Sequence, residues 1–339
     1  MKRPRLKISA PAPSYFVGEK AGLRFISSGC TLVDCALGGG WAIGRVANLV
    51  GDRSTAKTAL ATEALANFLE QYPTGGAAYR DTEAAFDQEY ARAMGIPVEK
   101  IDFGDDKNPL LTVEDFARDF DKFLDTQIKA DKPGLYVLDS LDALSDEVEM
   151  EQEFGKATFG MAKAKLLSTL FRKMARKIEQ SQVLLLIVSQ VRDNIGVTFG
   201  EKHRRSGGKA LDFYCSQIVW LAAVKQLKRT INKVERPYGV NILAKVKKNK
   251  VGLPFREASF DFIFGFGAED LTASIHWLMT VGRTEDVELS LAEAKSYYGK
   301  ISDMNDQEYA KEKATITPIV KRVWAEIETQ FLPTRRKYQ

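Results

Sequence analysis

The feature that most constrains this chain is the octapeptide Gly51-Asp52-Arg53-Ser54-Thr55-Ala56-Lys57-Thr58, because of what flanks it. Arg45–Gly51 (RVANLVG) is an apolar run of strand length that ends on glycine. Thr58–Leu69 then places Leu60, Ala64, Leu65, Phe68 and Leu69 at helical spacing. A glycine loop between a buried strand and a helix is an anion cradle. Loop N–H groups and the unpaired N–H groups of the first helical turn surround a phosphate with partial positive charge. Lys57 adds a full charge for the β- and γ-phosphates of a nucleotide, and the Thr58 hydroxyl is an oxygen ligand for Mg2+. All eight residues are therefore expected to bind nucleotide. Ala56 stands where such loops usually have glycine. Its methyl strains the loop if φ is positive and is harmless if the residue is already helical. The competing reading, an ordinary strand–turn–helix with a chance lysine, has to be judged against the rest of the chain.

Three further apolar runs follow: Ala77–Tyr79, Leu135–Leu138 and Val183–Val188. Each ends in polar residues: Asp81 and Glu83, Asp139 and Ser140, Ser189 and Gln190. Runs of this kind separated by helical segments predict a parallel sheet covered on both faces, an α/β architecture with a doubly wound sheet. Ligands in such sheets bind just past the strand C-termini. Asp139 is placed to hold Mg2+ through water, or else to cap a helix. Glu83 is placed to orient and polarise an attacking water, or is a solvated loop acid. Gln190 is placed to sense a γ-phosphate, or is a satisfied strand end. Phe154–Gln180 reads as a loop feeding a long helix with Leu167, Leu170, Phe171, Met174 and Ile178 on one face. Gln217–Val224, Val240–Val246 and Glu257–Phe264 read as strands without clear intervening helices, so the later sheet is expected to turn antiparallel. From about Asp270 the pattern is helical and charged.

Composition narrows the class. Hydrophobic residues are 45% and charged residues 28% of 339, the ordinary globular range. No apolar run approaches the roughly 18–20 residues that cross a membrane. Met1–Lys7 is basic but leads into no apolar stretch, which argues against a secretory signal. Three cysteines (Cys30, Cys35, Cys215) fit neither a disulfide framework nor a zinc module, so a reducing, cytoplasmic setting is expected. His203 and His276 are the only histidines. The net charge of +4 permits nucleic-acid binding, and where that charge sits matters more.

Taken together, these residues resemble the RecA family, and the likeness extends well beyond the phosphate loop. Ser27-Ser28-Gly29-Cys30-Thr31-Leu32-Val33-Asp34 through Gly38-Gly39-Gly40 resembles the stretch before the loop in RecA proteins. Asp81-Thr82-Glu83-Ala84-Ala85-Phe86-Asp87, followed by Tyr90-Ala91-Arg92, resembles the family's catalytic-glutamate segment. Gln190-Val191-Arg192-Asp193-Asn194-Ile195-Gly196-Val197, then Phe199-Gly200, Gly207-Gly208-Lys209-Ala210-Leu211 and Phe213-Tyr214, resembles its second DNA-binding loop and return. Lys248-Asn249-Lys250 and Pro254-Phe255 resemble the strand whose two lysines reach a neighbouring subunit's ATP. The resemblance covers roughly residues 25 to 267. It implies a P-loop NTPase core of RecA type with a mostly parallel central sheet, which hydrolyses ATP with Mg2+ in a DNA-dependent way. It further implies a helical filament on single-stranded DNA that pairs with homologous duplex DNA and exchanges strands. By the same resemblance Glu83 is the catalytic carboxylate, Asp87 and Tyr90 contact adenine, and Lys57, Gln190, Lys248 and Lys250 complete the catalytic set. Phe213, Lys248 and Lys250 would lie at the subunit interface, and Ile195 would wedge between bases.

The two DNA-loop candidates also read directly from chemistry. Gly196–Lys209 carries Lys202, His203, Arg204, Arg205 and Lys209 among four glycines. Glycines let backbone approach phosphates, and the cations neutralise them. The other candidate, about Glu149–Met161, begins acidic, contains Phe159, and runs into a helix with Lys165 and Arg172. The DNA-binding expectation therefore rests on Phe159, Lys165, Arg172, Arg192, Ile195, Gly196, Arg204, Arg205, Gly207, Gly208 and Lys209. A solvated, mobile basic loop is the plainer alternative.

The expected division is a lead-in over 1–25 containing three prolines, an ATPase core over 26–268, and a small α-rich C-terminal domain over 269–339 with a basic end. Departures from the family are a short N-terminal segment without an evident amphipathic helix, Ala56, Asp212 where RecA proteins tend to carry lysine, and the Arg335-Arg336-Lys337 end. They suit a divergent member, such as one carried by a phage or plasmid. Two other readings stay open: a RecA-fold helicase or motor, and a nucleotide-binding structural or regulatory DNA-binding subunit with little hydrolysis.

Overall fold

The computed structural model describes residues 22–105, 107–151, 161–193, 203–205, 208–335 and 338. Two short strands, β1 (Phe25–Ile26) and β2 (Trp41–Ala42), pair antiparallel around helix α1 (Thr31–Leu37). The main sheet begins with β3 (Val46–Gly51), of which every residue is buried. A strand with no exposed face belongs at the centre of a covered sheet. β3 lies between β6 (Val183–Asp193) and β8 (Gln217–Ile231), parallel to both. Beyond β6 come β5 (Gly134–Asp139) and then β4 (Gly76–Asp81), also parallel.

Parallel neighbours require crossovers, and the sequence supplies helices for them. α2 (Lys57–Gln71) buries Leu60, Ala61, Ala64, Leu65 and Phe68. α4 (Val113–Ala130) buries Val113, Phe116, Phe120, Leu124 and Gln127, one stripe at three- and four-residue spacing. Its start is set by a capping box between Thr112 and Asp115, and α3 (Gln88–Ala93) is capped by Asp87. α5 (Glu147–Glu151) is short, and α6 (Met161–Gln180) carries the predicted apolar face, with Leu167, Leu170, Phe171, Met174 and Ile178 buried. Arg80, at the β4 edge, is buried and bonds Asp119 and Asp102 at 2.8 Å each, while the Tyr136 hydroxyl donates to Asp119 at 2.7 Å. This network ties β4 and β5 to α4.

The later strands do turn antiparallel; two of them are longer than the apolar runs, and the third ends one residue short of Phe264. β8 pairs with β9 (Val234–Asn249), β9 with β10 (Glu257–Ile263), and β10 with β11 (Gly267–Glu269). β8 continues past Val224, and β9 starts before Val240, because the outer ribbon is exposed on both faces and needs no alternation. Its turn is Asn232-Lys233, both at positive φ (50° and 66°), the backbone of a two-residue hairpin without glycine. β6 likewise runs beyond Val188 to Asp193 and pairs with β7 (His203–Arg205). α7 (Gly208–Tyr214) follows β7.

The chain forms two compact units, with the boundary between Asp270 and Leu271. The second contains most of α8 (Asp270–Thr280), α9 (Leu291–Ser302) and α10 (Asp306–Gln330). Capping boxes at Ser290/Glu293 and Asn305/Glu308 begin the last two helices. Asp286 accepts from Arg283 and, at 2.9 Å, from Arg322, while Arg283 also pairs with Glu326 at 3.0 Å. The Trp277 and Trp324 rings pack with centroids 5.3 Å apart and planes tilted by 31°. Among the described residues, no helix is long and apolar enough to cross a membrane.

Candidate nucleotide site and its strand link to the basic loop

The loop after β3 leaves the sheet at Gly51, which pairs with Gln190 on β6 and Leu221 on β8. A Cβ on Gly51 would lie 2.4 Å from Thr55 Oγ1 and 3.0 Å from the Leu221 carbonyl, so only glycine fits. Ser54 (φ 57°) and Ala56 (φ 61°) are both left-handed, which resolves the alternative at position 56: the alanine is strained. The Thr55 hydroxyl donates to the Asp52 carbonyl at 2.8 Å, and Lys57 Nζ donates to the same carbonyl at 2.6 Å. Burial lowers the Lys57 pKa, while Asp139, Asp52, Glu83 and Asp142 oppose the shift.

Around this loop the C-terminal ends of β4, β5 and β6 converge. Thr58 Oγ1 donates to Asp139 Oδ2 at 2.7 Å. Burial raises the Asp139 pKa; hydrogen bonds from Thr58 and Tyr79 offset part of this, and Glu83 and Asp81 add to it. Asp81 accepts from the backbone N–H groups of Glu83 (3.0 Å), Ala85 (2.8 Å) and Phe86 (2.7 Å), so the strand end holds the following segment in place. Glu83 Oε1 accepts from the Ser140 hydroxyl and from Gln190 Nε2 at 2.8 Å. The Gln190 N–H donates to Asp142 Oδ2 at 2.7 Å. Thus Lys57, Thr58, Glu83, Asp139 and Gln190 do come together. Sequence reasoning missed Tyr79 and Asp142. Tyr79 was read only as the end of an apolar run, and Asp142 sits in the short turn after β5.

A pocket of about 460 Å³ opens beside the loop, lined by Ser54–Thr58, Asp87, Tyr90, Met94, Phe262 and Phe264 among others. Asp87 accepts from the Tyr90 N–H at 3.0 Å, and the Tyr90 hydroxyl accepts from the Gly265 N–H at 2.9 Å. Apolar and aromatic walls with a few fixed polar groups suit a flat heterocycle, and the phosphate loop forms one wall. Asp52 and Arg53 are exposed and do not line the pocket. For Mg2+ the donor set fits: Thr58 offers a hydroxyl and Asp139 a carboxylate, oxygen ligands of the kind a hard cation takes when nucleotide supplies the rest.

Lys248 and Lys250 lie elsewhere. Lys248 pairs with Ile218, which in turn pairs with Asn48, three residues before the strand ends at Gly51. Neither lysine lines the pocket. Lys248 Nζ donates to the Asp212 carbonyl and, at 3.1 Å, to that of Phe213; Lys250 Nζ donates to Phe213 O at 3.1 Å. The ammonium of Lys250 also lies 5.7 Å from the centre of the Phe213 ring, which is 69% exposed. Within one chain these lysines therefore cap the end of α7, where cations complement the helix dipole.

From Gln190, β6 continues directly into the antiparallel ribbon with β7, in the register Val191↔Arg205, Arg192↔Arg204 and Asp193↔His203. The ribbon brackets positions 194–202, so Ile195 and Gly196 lie outside the described residues. So do Phe159, Gly207 and the side chains of Arg192, Arg204, Arg205 and Lys209. Gly208 is the first residue of α7. Lys165 and Arg172, seven residues apart, are exposed on α6, away from its buried stripe.

Residues 17–269 match the family model of the RecA N-terminal domain. Protein RecA of Synechocystis sp. is 36% identical over 250 residues, 74% of this chain and 67% of the relative. Protein RecA of Rippkaea orientalis is 36% identical over 253 residues, 74% and 68% of the two chains. Protein RecA of Crocosphaera subtropica is 33% identical over 311 residues, 90% of this chain and 84% of the relative.

Proposed function

This chain belongs to the RecA family, and from that premise we propose that it is an ATP-dependent DNA recombinase, which assembles as a filament on single-stranded DNA and pairs it with homologous duplex. The observation that carries this reading is the bond from Gln190 to Glu83. Gln190 touches the candidate catalytic carboxylate at 2.8 Å, and its own strand runs into the ribbon that brackets the basic loop. A side chain that touches the hydrolytic site and a backbone that leads to a nucleic-acid loop form a direct mechanical link.

On this reading the phosphate loop and Lys57 hold the β- and γ-phosphates of ATP, and Asp87 and Tyr90 hold its base. Thr58 and, through water, Asp139 would hold Mg2+, which would neutralise charge on the phosphates. Glu83 orients the attacking water. Its Oε1 accepts from Ser140 and Gln190, and a γ-phosphate that took up the Gln190 amide would release it from the second of these bonds. Lys248 stands level with Asn48, short of the loop at the end of β3, and neither lysine lines the pocket, so on this reading both would reach the ATP of a neighbouring subunit. There they stabilise charge on the transferring phosphoryl group. Phe159, Ile195, Gly196, Gly207 and the cations at 165, 172, 192, 204, 205 and 209 form the DNA-facing set. The decisive assay measures ATP hydrolysis with and without single-stranded DNA. DNA-stimulated turnover followed by strand exchange is expected. DNA binding without stimulated turnover would overturn the enzyme reading in favour of a structural or regulatory subunit, the alternative that the strained Ala56 and Asp212 favour.

A further inference from the structure

Tyr79 lies in β4 directly beside Val137 of β5, and its side chain is 1% exposed. Its ring packs on Phe86 at 4.5 Å and Phe103 at 6.0 Å between centroids. A phenylalanine would satisfy that packing equally well. The hydroxyl is different: a buried phenol costs free energy unless it is hydrogen-bonded. Here it donates to Asp139 Oδ2 at 2.8 Å, the same oxygen that accepts Thr58 Oγ1 at 2.7 Å. The two donors arrive from different elements, β4 and α2. A carboxylate held by one hydrogen bond can pivot about it; held on one oxygen by two donors, it has its orientation set before any ligand arrives.

We infer that Tyr79 is a positioning residue that presets Asp139 for the Mg2+ of bound nucleotide. The inference rests on the nucleotide reading of this site. It concerns neither the phosphates nor the base. The hydroxyl acts through Asp139, so its removal weakens the metal-dependent part of nucleotide affinity and leaves the metal-free part intact. Loss of a partner that orients a metal ligand typically weakens metal affinity by about 10-fold or more.

The test titrates Mg2+ into protein with a fluorescent ADP analogue, comparing wild type, Tyr79→Phe, Asp139→Asn and the double variant. Tyr79→Phe is expected to raise the Mg2+ concentration for half-maximal tight binding about tenfold. Analogue binding in EDTA should be unchanged. In the Asp139→Asn background the same substitution should add nothing. Equal Mg2+ requirements for wild type and Tyr79→Phe would overturn this role alone, as would an effect that persists without Asp139. A wild type whose nucleotide binding ignores Mg2+ would overturn both this role and the reading beneath it. Should Tyr79→Phe fail to fold, the full chain carrying 3-fluorotyrosine at position 79 reads the same contact by fluorine NMR. Its resonance must shift when Mg2+ is added to the ADP complex, and a silent resonance sinks the inference.

Discussion

Ala56 offers a sharp test of the loop geometry. At φ 61° and ψ 23° it is a left-handed alanine at the N-cap of α2, with no side-chain cap to compensate. The left-handed region costs a residue with a Cβ about 1–2 kcal/mol. Replacing Ala56 with glycine removes that cost but adds about 0.5–1 kcal/mol of backbone entropy lost on folding. The net expectation is a stabilisation of about 0.5–1 kcal/mol. The first-turn bond from Leu60 N–H to the Ala56 carbonyl, 3.0 Å, uses only backbone and survives. For a unit the size of Arg24–Asp270, this corresponds to a melting temperature higher by about 1–3 °C. Differential scanning calorimetry measures it. Ala59→Gly, in the first turn of the same helix, is the control of opposite sign, expected to cost up to about 1 kcal/mol. If Ala56→Gly melts lower than wild type while Ala59→Gly behaves as expected, position 56 is not left-handed in solution and the strain argument is wrong.

Two further perturbations probe the charged networks. Arg80→Met leaves the Asp119 and Asp102 carboxylates without the guanidinium that bonds both, and should cost about 3 kcal/mol in urea unfolding, with little recovery by Arg80→Lys; a loss below 1 kcal/mol would show that the network is decorative. In the C-terminal unit, the Arg283 guanidinium beside Asp286 holds its carboxyl below the usual carboxylate range. A depressed folded-state pKa contributes stability that is present above the unfolded value and lost as pH falls through the folded one. The melting-temperature gap between wild type and Asp286→Asn should therefore be widest near neutrality and close under acid conditions; a gap independent of pH would refute the pairing.

Much of the site was legible because its chemistry falls at strand ends. Gly51–Thr58, Glu83, Asp139 and Gln190 each follow an apolar run, and a parallel sheet gathers such ends at one edge. Position 56 was legible only as a question, since composition does not reveal φ. Tyr79 was invisible as a functional group because a tyrosine closing an apolar run looks like core. Its hydroxyl gains meaning only when β4 and β5 are set in register, Asp81 beside Asp139. The β8–β9 ribbon was cut short for a different reason. Residues exposed on both faces carry no period, and the Asn232-Lys233 turn lacks the usual glycine. Lys248 and Lys250 were legible only through the family resemblance, and the register sets Lys248 level with Asn48, short of the loop at the end of β3.

The central claim is a hydrolytic site shared between subunits, and mixing two inactive variants tests it most directly. Glu83→Gln lacks the carboxylate proposed to orient water, and Lys248→Ala/Lys250→Ala lacks the lysines proposed to reach the neighbour. Each alone should be nearly silent on single-stranded DNA. In an equimolar mixture, half the sites take Glu83 from a lysine-deficient subunit, and half of those face a subunit with intact lysines. If mixing along the head-to-tail assembly is random, DNA-stimulated hydrolysis should return to about a quarter of wild type. A mixture no more active than its components would place both sets of residues in one chain's site and contradict the shared-site account.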